Sequence, residues 1–186
     1  MFQLILSVFA ISLIAALTLV SVNYLPGWEV AAQQTTTLAK GGFSTLQNAF
    51  ALRAQANGGS APAVNTSRQD GGLAPLFQTY YSFLPRAPLG YGWTYGYTTQ
   101  TQLTADGYGG DPTGGLYWFC LYPLSGGGSQ AIYQGLNKAR LQFPPTQFYL
   151  NINGPSNCGR AINTTAPAAF PVPVVVTFFV RYVAGN

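Results

Sequence analysis

The chain has 186 residues, 48% of them hydrophobic and only 6% charged, with 8 Lys+Arg, 4 Asp+Glu and no His. Soluble domains carry roughly 25% charged residues, so this polarity comes from Gly, Ser, Thr, Asn and Gln instead. The balance excludes charge-driven disorder, histidine catalysis and His-ligated metal. It also excludes a nucleic-acid contact, because the net charge of +4 comes from scattered residues rather than a basic cluster. The length fits one domain, or one domain plus an anchoring helix.

Residues 1–25, MFQLILSVFAISLIAALTLVSVNYL, contain no charged side chain. As a helix they would reach about 37 Å, enough to cross a hydrocarbon core. A secretory signal peptide would open with Lys or Arg and close on a small-x-small site. Here no basic residue precedes Lys40, and the expectation is that a leader has already been removed. Pro26 and Gly27 follow, a pair that kinks or locally melts a helix. Beyond them Trp28, Ala32, Thr35, Ala39, Phe43, Leu46 and Phe50 recur at three- and four-residue gaps, the spacing of one face of an amphipathic helix. Gly41-Gly42 is a second weak point, and Asn57-Gly58-Gly59-Ser60 ends the helix.

Residues 57–76 read as loop. In the aromatic-rich stretch that follows, Tyr91, Trp93, Tyr95 and Tyr97 alternate with Gly92, Thr94 and Gly96, which places the four aromatics on one face of a strand. Further strands are predicted over 116–122, 147–152 and 172–183. A short helix is predicted from a Ser129 cap through Ala131, Ile132, Leu136 and Ala139. The stretches 106–115 and 125–128 are loops. Cys120 and Cys158 form an even pair in a chain that reads as exported, hence a disulfide, with two separate buried thiols as the alternative.

Each candidate for chemistry has a plainer competitor. Asp106, Asp111 and the GYGG between their turns could supply oxygens for Ca²⁺, but Asp-Gly and Asp-Pro are ordinary turn formers and that reading is preferred. The ladder of Tyr91, Trp93, Tyr95 and Tyr97 could stack on sugars or form a surface contact between subunits. Burial against the long helix is preferred, since one face of a sheet must be covered. The sequons at Asn65 and Asn163 are short enough to occur by chance. A serine nucleophile has no histidine, and nothing places one beside Lys40 or Lys138. The expectation is no enzyme, no cofactor and no metal.

The layout of an apolar half-helix, a Pro-Gly break, an amphipathic half-helix and a β-rich head with a Cys pair resembles a type IV pilin after leader removal. The resemblance is architectural and covers most of the chain. The family's usual glutamate at the fifth position is here Ile5, and no carboxylate precedes Glu29, so the terminal amine needs another partner, such as Gln3, Ser7 or a carbonyl, or else sits by lipid or water. The resemblance implies an α+β fold, with a long two-part N-terminal helix packed on a mostly antiparallel sheet. The parts are 1–27 (filament-core or membrane helix), 28–57 (amphipathic half) and 58–186 (head with a disulfide-closed loop). It implies that Phe2, Leu4, Ile5, Leu6, Phe9, Leu13, Leu17 and Val20 mediate assembly. The partners implied are copies of the chain, the inner membrane before assembly, and pilus assembly machinery, in an extracellular filament. The alternatives are a minor pilin or adhesin-like surface binder, and a single-pass membrane-anchored β-rich domain.

Overall fold

A computed structural model describes residues 11–14, 27–61, 73, 84–111, 114–152 and 154–180. Residues 11–14 are helical and exposed. A 30-residue helix, α1, spans Gly27–Ala56. It is followed by strand β1 (Tyr91–Thr98), helix α2 (Gln100–Ala105), strand β2 (Leu116–Pro123), helix α3 (Gln130–Arg140), and strands β3 (Phe148–Asn151) and β4 (Val175–Val180). The strands form one antiparallel sheet in the order β1-β2-β4-β3. The coarse α+β expectation therefore holds.

The sequence explains α1 well. Glu29 in its first turn and Arg53 in its last complement the helix dipole. The β-branched run Thr35, Thr36 and Thr37 is tolerated because each hydroxyl donates to the carbonyl four residues back. At the C-terminus the Asn57 side chain donates to the Arg53 carbonyl, and Gly59 N–H reaches the Ala54 carbonyl at 2.8 Å. Gly58 and Gly59 supply the positive φ that this ending needs.

Of the anticipated seam, Ala32, Thr35, Ala39, Phe43, Leu46 and Phe50 are buried, whereas Trp28 is 47% exposed. Nor is Gly41-Gly42 a break. The helix runs straight through it, and a Cβ at Gly42 would fall 2.3 Å from the Trp93 ring. The glycine is there so that β1 can approach.

Phe43 lies at the centre of the core, edge-on to Trp93 at 4.9 Å and to Phe148 at 5.4 Å, and stacked on Phe178 at 5.0 Å. Two turns later Phe50 meets Tyr95, Tyr117 and Phe119. α3 joins the same core through Tyr133, Leu136 and Ala139. Ser129 caps it, accepting from Ile132 N–H as anticipated. Its contact with α1 is close, since a Cβ on Gly135 would lie 2.5 Å from the Ala32 carbonyl oxygen. There the Thr36 hydroxyl also donates to the Gly135 carbonyl.

The strand expected over 172–183 is shorter, β4 being confined to Val175–Val180 within the described residues. Pro171 and Pro173 lack the N–H a ladder needs, and Val172 makes only an isolated bridge to Gly128. All six β4 residues are buried, so both faces of the sheet are covered. α2, with the segment around residues 158–161, covers the face away from α1, where a single-helix architecture leaves nothing. Its six residues, QTQLTA, bury only Leu103 and show no apolar period.

Candidate assembly surface and the clamp behind the sheet

The outward side of α1 is unusual for a surface helix. Its exposed residues include Trp28, Val30, Gln33, Gln34, Thr37, Ser44, Asn48 and Leu52, with Lys40 the one charged residue among them. Solvent-facing helix stripes normally carry many charges. Near its N-terminal end the stripe is flanked by two grooves that share Gln33 and Thr37. One lies against Arg86, Ala87 and Leu89, the other against Lys138, Leu141 and Gln142. Leu89 is 97% exposed and Leu141 76%, so both leave apolar surface in water that burial would stabilise.

Phe2, Leu4, Ile5, Leu6, Phe9, Leu17, Val20 and Pro26 lie outside the described residues. Leu13 is helical and exposed, and Gly27 is the first residue of α1. No helix among the described residues is long and apolar enough to cross a membrane.

The aromatic ladder turns inward. Tyr91, Trp93 and Tyr95 are buried in the core, which removes them as a surface or subunit contact, and only Tyr97 keeps 39% exposure. The Trp93 indole N–H donates to the Pro85 carbonyl at 2.9 Å. Tyr97 rests on Tyr117 at 5.0 Å, and its hydroxyl donates to the Gly114 carbonyl. Burial pushes the Tyr91 phenol well above its ordinary range. Burial and then Tyr117 do the same for Tyr95, with Arg53 opposing them. Both phenols stay neutral at any physiological pH.

Behind the sheet, Cys120 and Cys158 form the anticipated disulfide, with Cα atoms 5.6 Å apart. The residue after the bridge extends the attachment to both neighbouring strands. Gly159 N–H donates to Thr177 Oγ1 in β4 at 3.0 Å, and its carbonyl accepts from Thr98 Oγ1 in β1 at 2.7 Å. Only glycine serves here, because φ is +81° and a Cβ would meet the Trp118 indole nitrogen at 2.5 Å. Next, Arg160 grips Asp106 at the end of α2, with Nε at 2.9 and 2.8 Å from the two carboxylate oxygens and Nη2 at 2.5 Å from Oδ1. Ala161 N–H and the Gln102 side chain complete the carboxylate's shell.

The Asp106 side chain is fully shielded from solvent. Burial raises its pKa, but the hydrogen bonds from Arg160, Ala161 and Gln102 outweigh that and hold the carboxyl below the ordinary carboxylate range. The Ca²⁺ alternative thus loses its main oxygen donor to Arg160, and no group of side chains suited to a metal occurs among the described residues. Asn163, the second sequon, is also engaged, since its Oδ1 accepts from Leu150 N–H at 2.9 Å and caps the outer edge of β3. Asn65 lies outside the described residues.

What the sequence did not reveal is the role of Asp106 and Arg160. They stand far apart in the chain within Gly-rich stretches. The one available signal was scarcity, four acids in the whole sequence, which makes any buried one costly unless it is paired. Comparison of the chain with protein families, with curated proteins and with solved structures finds no match.

Proposed function

We propose that the chain is a structural subunit of an extracellular helical filament of the type IV pilus kind, assembled through its apolar N-terminal helix. The observation that carries this reading is the outward stripe of α1. A helix of 30 residues exposes Trp28, Val30 and Leu52 with Lys40 as its one fully exposed charge, Glu29 and Arg53 being half-buried, directly after an uncharged apolar stretch. Such a stripe is favourable when neighbouring subunits cover it, at about 25 cal/mol for each Å² of apolar area removed from water. A charge-poor surface suits the same end, because charges trapped between subunits lose solvation.

In this reading residues 1–27 sit in the inner membrane before assembly and in the filament core afterwards, and assembly machinery exchanges lipid contacts for helix contacts. A surface-binding head is the weaker reading, because most of the aromatic ladder it would use is buried.

The test is Leu6→Asp and Leu13→Asp in the native host. Both variants should lose filaments in electron micrographs, while their heads keep the disulfide and a wild-type circular dichroism spectrum. Wild-type filament yield from either would overturn the reading.

A further inference from the structure

The two grooves at the N-terminal end of α1 share a chemistry that subunit packing does not need. Each rim ends in a leucine standing in solvent, Leu89 on one side and Leu141 on the other. Each also carries a cation, Arg86 and Lys138, and neither groove is lined by an acid. Glu29 is the nearest acid along α1, one turn before Gln33.

We propose that these rims dock on an anionic lipid headgroup surface and hold the head down on the bilayer before assembly. This rests on the reading that residues 1–27 are held in that bilayer. The position fits. Along the helix axis Gln33 and Thr37 lie about 9 and 15 Å beyond Gly27. A headgroup layer extends roughly 5–8 Å beyond the hydrocarbon, and its field reaches about 8–10 Å further at physiological salt.

The side chains fit as well. At that height Arg86 and Lys138, which line the grooves beside Gln33 and Thr37, stand within the field, and their long stems lie along apolar surface and carry the charge toward the phosphates. Trp28, exposed at the same end, is the residue type that favours that layer. A second copy of the chain is a poorer occupant. It carries the same net charge of +4, has 4 acids in all, and commits the Asp106 carboxylate to Arg160.

The experiment places the full-length chain in nanodiscs of phosphatidylcholine alone or mixed with phosphatidylglycerol, and follows hydrogen exchange over residues 27–38, 86–90 and 138–142. Protection of these segments should rise in the anionic discs by about fivefold for each cation engaged and fade in high salt. The double variant R86Q/K138Q should lose the gain while sheet amides keep wild-type protection. Equal protection in both disc types overturns the proposal. Protection that tracks copies per disc instead of lipid charge assigns the grooves to a second subunit and also overturns it. Failure to enter nanodiscs at all would overturn this proposal together with the membrane reading of residues 1–27, whereas entry without lipid-dependent protection overturns this proposal alone.

Discussion

The face of the sheet toward α1 is closed by area, and the face away from it by attachment. Toward α1, Phe43, Phe50, Trp93, Phe119, Phe148 and Phe178 interlock with two helices, and hydrophobic burial is sufficient. On the far side the covering pieces are a six-residue helix and a short turn. They bury Leu103 and Ala161, and lay the half-buried Tyr108 ring, against Tyr149 and Phe179. So little apolar area cannot offset the entropy of ordering them. A disulfide, an ion pair and two threonine hydroxyls supply the rest. The contrast teaches that covalent and polar ties concentrate where a cover is too small to hold itself down.

Substitutions should separate the two modes. The largest loss is expected from Phe43→Ala, which empties the centre of the α1 face and should cost about 3–5 kcal/mol in urea unfolding. Cys120→Ser with Cys158→Ser should cost about 3–4 kcal/mol. Hydrogen exchange should then locate the loosening at residues 158–161 and α2, with α1 spared. Equal loosening of both faces would break the comparison.

Asp106→Asn should cost about 1–3 kcal/mol, because Arg160 can turn to water once its partner is gone. Its pH signature follows from the lowered carboxyl. The contribution of Asp106 is complete above the unfolded carboxylate value near 4 and is lost as pH falls through the lower folded value. The variant should therefore lack part of the acid limb of wild-type unfolding, and an unchanged limb would remove Asp106 from the clamp.

The smallest and sharpest test is a pair of neighbours. Gly42→Ala drives a methyl into Trp93 and should destabilise by about 1–3 kcal/mol. Gly41→Ala meets nothing within 4 Å and should stabilise by about 0.5–1 kcal/mol through helix propensity. Thermal melts of the two variants should move in opposite directions.

Local pattern carried much of this. The apolar spacing of Ala32 to Phe50, the Ser129 cap and the alternation of Tyr91 to Tyr97 are periodicities within single elements, and the structure keeps them. The Cys pair was legible because two cysteines are too few for a zinc site and an even number suits one bridge. Trp28 was misplaced because periodicity cannot say where the sheet beneath a helix ends. Gly41-Gly42 looked like a weakness because propensity sees only the helix and not the indole lying against it. α2 escaped because a QTQLTA segment has no apolar period.

By itself, then, the sequence determined the uncharged N-terminal stretch, the class of secondary elements and the scarcity of charge, all properties of neighbours in the chain. Only the tertiary structure decided that Asp106 would hold Arg160, that Gly159 would be stitched to β1 and β4, and that Leu89 and Leu141 would flank one end of α1. Those pairings join residues whose separation in sequence carries no periodic signal. Their free energy comes from burial and geometry that exist only after the chain has folded.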